Sequence, residues 1–210
     1  SGIKHLCEKY LLQNRKTKEI YESPQHMYML CAMVSFANYP KETRLTYVKQ
    51  AYNYFSTHKI NLPTPQVAGL RGTLKSYASC MLIDVDDTMD SILSSTQAIG
   101  HAVAQKYGIG INAGRIRAAG AEIRKGDVIH PGVVPFLRVF QSIVKSCQQS
   151  GIRGGSATVN IPIWHKDIYE VMVLKNNAGV EESRVRHLDY TIQMSKIFLN
   201  RLLSGDNITL

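Results

Sequence analysis

A cysteine, a knot of acids and a set of loop arginines are the residues of this sequence best equipped for chemistry. Cys80 lies in an apolar run, Tyr77-Ala78-Ser79-Cys80-Met81-Leu82-Ile83, short enough to be a strand buried on both faces. A thiolate is a nucleophile, and a pair of thiols can deliver two electrons. A buried structural cysteine is the alternative for the same position. The run ends in Asp84, Asp86 and Asp87, after which Met89, Ile92, Leu93, Ile99 and Val103 recur at helical spacing. Asp87 or Thr88 can cap that helix, with Asp90 in the first turn, where orphan N–H groups favour a carboxylate. Asp87 can equally accept a hydrogen bond from a sugar hydroxyl. Arg117, Arg124 and Arg153 lie on successive loops after strands, where a guanidinium fork either binds phosphate or is merely solvated. A strand whose carboxyl end feeds a helix is the unit with which α/β folds bind ligands.

The elements that must position these residues are of two kinds. Residues 1–60 read as a helical N-terminal segment. A first helix carries His5, Leu6, Tyr10 and Leu11 and is followed by a polar turn, Asn14-Arg15-Lys16-Thr17-Lys18. A second is capped by Ser23, with Pro24 at its first position, and runs through Met27, Leu30, Cys31 and Val34. A third spans Glu42 to His58, with Leu45, Val48, Tyr52 and Phe55 on one face. Cys7 and Cys31 read as small buried hydrophobes. Asn61-Leu62-Pro63-Thr64-Pro65 reads as an extended linker that holds Thr64 between two prolines.

From residue 77 the order is strand, helix, strand, loop, helix, loop, strand, helix, which argues for a parallel sheet, as barrel or open sheet. The predicted strands are too few to close a barrel. Gly108-Ile109-Gly110-Ile111-Asn112-Ala113-Gly114-Arg115 has the spacing G-x-G-x-x-x-G and runs on into charge, so the dinucleotide fingerprint fails. A strand with glycines for close backbone approach fits better. Residues 118–130 form a polar loop. Pro131 then opens a helix whose apolar face is Val133, Phe136, Leu137, Phe140, Ile143, Val144 and Cys147. Residues 148–156 are a flexible loop without the Gly-Lys-Ser/Thr ending of a P-loop. Thr158 to Ile163 follows as a strand, then a short helix from Trp164 through Leu174, and a last helix over Asp189 to Leu203.

The bulk properties exclude more than they assign. The 210 residues carry a net charge of +9, with 44% hydrophobic and 20% charged residues. That suits a soluble globular protein, and no apolar run approaches the roughly 20 residues of a membrane span. The positive charge is diffuse, which suits an anionic ligand such as a nucleotide better than nucleic acid. The four cysteines show no zinc-like spacing and no metal is expected; with no secretory signal, a reduced, cytoplasmic setting is read. The chain starts without methionine and ends straight after Asn207-Ile208-Thr209, and so reads as a piece of something longer.

Taken in order, the motifs Leu62-Pro63-Thr64-Pro65, Ser79-Cys80, Gly108 to Ala118, Val144-Lys145-Ser146-Cys147, Arg153-Gly154-Gly155, Trp164-His165, Val173 to Asn177 and Arg186-His187-Leu188-Asp189-Tyr190 resemble the large, catalytic subunit of class I ribonucleotide reductase of the bacterial and phage kind. The resemblance covers essentially the whole chain. It implies an α/β fold: a helical N-terminal layer, then over 61–210 the first part of a ten-stranded α/β barrel with effector-specificity loops.

For the activity it implies reduction of ribonucleoside diphosphates by radical chemistry. Cys80 matches one member of the thiol pair that becomes a disulfide, and Thr64, Ser79 and Gly108 match contacts to the substrate. Asp87, Thr88, Met89, Arg117 and Arg124 match the site for a deoxynucleoside triphosphate or ATP effector, with magnesium. Loop 118–130 matches a first specificity loop, and loop 148–156, with Gln149 and Arg153, a second. The implied partners are a radical-generating, metal-containing small subunit, a second large subunit and a thioredoxin- or glutaredoxin-type reductant. The effector site would lie at the dimer interface, formed in part by the helices from Met89 and Pro131.

The chain also departs from the family pattern. The radical cysteine, the second cysteine of the reducing pair, the finger loop, the relay cysteines and the ATP cone have no counterpart in it, and Ser150 stands where relatives carry glycine. The expectation is a portion of the large subunit, either excised or one half of a naturally split gene, that is inactive alone and works with the remainder of that subunit. The alternative is a catalytically silent piece of a split reductase that binds deoxynucleotide and dimerises.

Overall fold

The computed structural model describes residues 2–14, 16–72, 77–147 and 155–210, and these form two compact units, Ser1–Ser79 and Cys80–Leu210. In the first unit, α1 (Gly2–His5) runs directly into a π-helical turn, Leu6–Tyr10, and ends at Leu11. The predicted polar turn is the tip of a small antiparallel ladder closed by Gln13 and Ile20. Helix α2 (Pro24–Ser35) starts as its sequence dictates. Pro24 occupies the first turn, the Ser23 hydroxyl accepts from the His26 N–H, and the His26 ring accepts from the Ser23 N–H. Helix α3 (Lys41–Ser56) packs Val48, Ala51 and Phe55 against Cys31 and Ala32. Burial there pushes the Cys31 thiol up, which suits a packing role.

The expected linker is instead the start of a helix. Pro63 is extended, Thr64 is the first residue of α4 (Thr64–Arg71), and Pro65 sits in its first turn, where a missing N–H costs nothing. Arg71 of this helix pairs with Glu22, both side chains being almost fully buried, and donates to the Tyr10 carbonyl at 2.7 Å. Residues 61–79, assigned to the barrel portion from the sequence, therefore lie within the first unit.

The second unit is built on four parallel strands. They are β1 (Cys80–Asp84), β2 (Gly108–Asn112), β5 (Ser156–Pro162) and β6 (Asp189–Gln193), hydrogen-bonded in that order. Helix α5 (Met89–Ala104) returns β1 to β2, and α6 (Val134–Ser146) lies between β2 and β5. Ile92, Ile99 and Val103 of α5 and Leu137, Phe140 and Val144 of α6 pack with Ile109, Ile111, Val159 and Ile161 of the sheet in one core. The expected polar loop 118–130 contains a short hairpin, β3 (Glu122–Ile123) with β4 (Val128–Ile129). Helix α7 (Ile168–Met172) follows β5 and is shorter than expected.

Two expectations need correcting. The predicted last helix is two elements, β6 and then α8 (Lys196–Ser204). Asp189–Gln193 alternates exposed and half-buried residues, so its period is two, and its ladder with β5 outweighs a helical continuation. Strand β1 is also not buried on both faces. It is an edge of the sheet, Leu82 is 86% exposed and Cys80 is exposed as well. Its only strand neighbour among the described residues is β2, whose Gly108 and Gly110 have no side chains to cover it.

Tyr190 on β6 donates to the Val185 carbonyl at 2.8 Å; burial first, then the Asp189 charge, hold its pKa well above the tyrosine norm. The unfolded chain ionises this phenol from about pH 10, while the folded chain keeps it neutral. Its stabilising contribution is thus complete below that pH and declines as pH rises further. Tyr190→Phe is expected to cost about 1 kcal/mol at neutral pH. In denaturation series the difference from the parent shrinks as pH climbs past about 10.

Candidate functional site

The pleat of the parallel sheet sorts its side chains. Because successive residues point to opposite faces, Met81 and Ile83, Ile109 and Ile111, and Val159 and Ile161 lie on the helix-covered face. The register sets Cys80, Leu82 and Asp84 beside Gly108, Gly110 and Asn112, then Ser156, Thr158 and Asn160, then Asp189 and Thr191. This second face borders an open groove of about 590 Å³ lined by Leu82, Asp84, Gly110, Asn112, Thr158, Asn160 and Thr191 among others. Gly110 bears out the expected close approach, since a Cβ there would stand 2.6 Å from Leu82 Cδ2. The Asn160 carboxamide oxygen is buried at this face with no protein partner among the described residues.

The predicted residues fall into two groups at opposite ends of β1 and β2. Cys80 and Gly108 are partners in register at the amino ends, and Ser79 immediately precedes Cys80. The thiol thus stands at the end of β1 away from the one that leads into α5. Four residue steps of roughly 3.3 Å, about 13 Å, separate Cys80 from Asp84. Thr64 belongs to the first unit, where its hydroxyl and that of Tyr10 are 2.9 Å apart. Both line a cavity of about 400 Å³ together with Leu62 and Val67.

Beyond the carboxyl ends lie Asp87, Thr88, Met89 and Arg117. Thr88 is the N-cap of α5, accepting from the Ser91 N–H at 3.1 Å. Asp87 is thereby released from capping and binds residue 117 twice, accepting from its backbone N–H at 2.9 Å and from its Nε at 2.7 Å. Both side chains remain about one-third exposed, so the pair is worth under about 1 kcal/mol. Met89 is 58% exposed. Arg124 sits at the β3–β4 tip, exposed and outside any ion pair among the described residues. Gln149 and Arg153 lie outside the described residues.

Sequence reasoning missed several neighbours. At the strand ends Asn112 donates to Asp84 Oδ1 at 2.6 Å, and Arg115 pairs with Asp84 Oδ2 at 3.0 Å. Polar residues at every second position of 156–160 and 189–193, and the Gly-x-Gly-x-Asn alternation of 108–112, were the available signal. Tyr10 and Asp167 carry no such periodic mark. Among the described residues no cluster of three His, Cys, Asp or Glu side chains could hold a metal ion. No helix of the described residues is long and apolar enough to cross a membrane.

Arg124 and Lys125 adopt φ of 51° and 61°, a left-handed conformation that costs L-residues roughly 1–2 kcal/mol each. Lys125→Gly is expected to raise stability by roughly 0.5–1 kcal/mol once the added backbone entropy of glycine is subtracted. A higher denaturant midpoint at unchanged slope would register it.

Comparison with known proteins gives a consistent family. The description "Ribonucleotide reductase, barrel domain" matches residues 78–210, and "Ribonucleotide reductase, all-alpha domain" matches residues 1–74. The chain is 53% identical over all its 210 residues to the ribonucleoside-diphosphate reductase subunit alpha of Buchnera aphidicola subsp. Baizongia pistaciae. It is 52% identical over the same length to ribonucleoside-diphosphate reductase 1 subunit alpha of Escherichia coli K12, and 44% to the subunit alpha of Enterobacteria phage T4. The chain spans 28% of the length of each of these relatives.

Proposed function

The chain belongs to the ribonucleotide reductase large-subunit family, and from that premise we propose that it carries the substrate-facing first strands and the effector site of a ribonucleoside-diphosphate reductase. The observation that carries this reading is the division of the matched residues between the two ends of β1 and β2. One short strand thus serves a redox thiol at its start and a nucleotide site beyond its end.

At the amino end, Cys80 acts as one of two thiols, the second supplied from outside residues 1–210. The two thiols give up two protons and two electrons and form an S–S bond. The substrate's 2′ carbon–oxygen bond breaks, a carbon–hydrogen bond replaces it, and water leaves. Thr64 and Ser79 offer hydroxyl donors to the diphosphate and ribose, and the Gly108 backbone approaches without a side chain in the way. A small subunit containing a metal supplies the radical that starts the reaction, and a thioredoxin- or glutaredoxin-type protein reduces the disulfide afterwards. The setting proposed is the cytoplasm.

At the carboxyl end, Asp87 accepts from the effector's sugar hydroxyl, while Arg117 and Arg124 take the triphosphate of a deoxynucleoside triphosphate or ATP. Binding exchanges the internal Asp87–Arg117 pair for two ligand contacts, a cheap exchange because the pair is about one-third exposed to solvent. Magnesium would travel on the phosphate oxygens, since no acid cluster of the described residues forms a cage for it. Gln149 and Arg153 relay effector identity to the substrate base. Met89 and Leu93, in the first turns of α5, and Val139 of the neighbouring α6 are exposed apolar residues, which supports pairing with a second copy.

The test uses the natural gene product with its partner subunit. Arg117→Ala and Arg124→Ala are each expected to weaken deoxynucleoside triphosphate binding about tenfold or more. Cys80→Ser is expected to abolish deoxynucleotide formation with effector affinity unmoved. Repeated turnovers by Cys80→Ser would sink the redox role. Effector binding with no turnover in any assembly would favour the silent dimerisation portion instead.

A further inference from the structure

Asp167 is an N-cap residue that does not cap. It precedes α7, yet its carboxylate makes no bond to that helix. The side chain is buried, at 5% exposure, and pairs with no cation among the described residues. Its oxygens are used instead by a segment of the second unit more than thirty residues earlier in the chain. Oδ1 accepts from the Ala119 N–H at 2.9 Å, and Oδ2 accepts from the Val133 N–H at 2.9 Å and shares the Ala119 N–H at 3.2 Å. Ala119 and Val133 are the two feet of the hairpin loop that carries Arg124.

The surrounding atoms are fitted to this arrangement. Gly132 has φ of +88°, and a Cβ there would stand 2.5 Å from Asp167 Oδ2 and 3.0 Å from the Ala119 backbone nitrogen. The neighbouring His165 fixes a third point of the same loop. Its Nδ1 accepts from the Asp167 N–H at 3.0 Å, so Nε2 carries the proton and donates to the Ile116 carbonyl at 2.7 Å. Residue 116 directly precedes Arg117, the partner of Asp87. Trp164 to Asp167 follows β5 directly, and β5 begins at Ser156, just after the segment holding Gln149 and Arg153.

We infer that Asp167 is a positioning residue for the effector site, clamping both feet of loop 118–130 so that Arg117 and Arg124 are held ready for the triphosphate. The inference rests on the reading of that loop given under Proposed function. It adds a route by which the first loop is tied to the exit of the strand that the second loop enters. Without the carboxylate, the buried Val133 N–H and the part-buried Ala119 N–H lose their acceptor, and the loop must rearrange to hydrate them.

The experiment measures effector binding and amide hydrogen exchange in the natural gene product carrying Asp167→Ala, Asp167→Asn or Arg117→Ala. Asp167→Ala is expected to weaken deoxynucleoside triphosphate binding about tenfold and to deprotect residues 118–133 while α5 and the sheet keep their protection. Asp167→Asn retains one acceptor oxygen, so it should restore part of both, losing only about threefold in affinity. If Asp167→Ala fails to fold, the Asn variant alone carries the test through the same two readouts. Unchanged affinity and unchanged protection at 118–133 would overturn the clamp. Unchanged affinity in Arg117→Ala, with deprotection still seen in Asp167→Ala, would leave the clamp standing and overturn the effector reading of the loop.

Discussion

Alternation along the parallel strands is the constraint on which the second unit depends. Each strand must give one set of side chains to the core under α5 and α6 and the other set to the open groove. A shift of one residue in any register would bury Asn112 or Thr158 and expose Ile111 or Val159. The core therefore polices the groove. Burying the apolar set, at about 25 cal/mol per Å², fixes which polar residues stand beside Cys80 and Gly108. No interaction within the groove itself has to be strong for that placement to hold.

A second economy concerns the acids after β1. Asp84, Asp86, Asp87 and Asp90 lie within seven residues and would repel one another without distinct tasks. Asp84 meets Asn112 and Arg115, and Asp87 meets Arg117. Asp86 accepts from the Asp87 N–H, and Asp90 lies in the first turn of α5, where the helix dipole favours it. Thr88 takes the cap, which frees Asp87 for the arginine. The division of labour is local in sequence, but three of its partners, Asn112, Arg115 and Arg117, come from the strand and turn some thirty residues on.

What could be read from the residues followed the same line between local and distant causes. The Ser23-Pro24 start of α2, the helical spacing of α5, the apolar face of α6 and the parallel alternation were all legible because their signals are local. The edge position of β1 was not, since an apolar pentapeptide reads alike at an edge and at the centre of a sheet. Residues 189–203 misled for a different reason: the alternation of Asp189–Gln193 is only five residues long and runs directly into the helical spacing of α8, so the two elements read as one. At the site, Asp87, Arg117 and the cysteine strand were visible as types at suggestive places. Tyr10 beside Thr64 and Asp167 beside Ala119 were invisible, because each contact joins residues about fifty positions apart.

Gly132 and Asp167 meet across thirty-five positions of chain, and the contact limits what either position can hold. As long as an acid fills position 167, the space a side chain at 132 would need is taken by its carboxylate oxygen, and the backbone there is left-handed as well. A larger residue at 132 meets the Asp167 oxygen, the Ala119 backbone and a left-handed φ together, and shortening 167 strands two amides. The base of the hairpin is therefore held at 132 by space and backbone conformation and at 167 by hydrogen bonding. Loop residues such as Glu122 and Val128 carry no such lock. Variation in this part of the molecule is thereby channelled to the tip of the hairpin and away from its base.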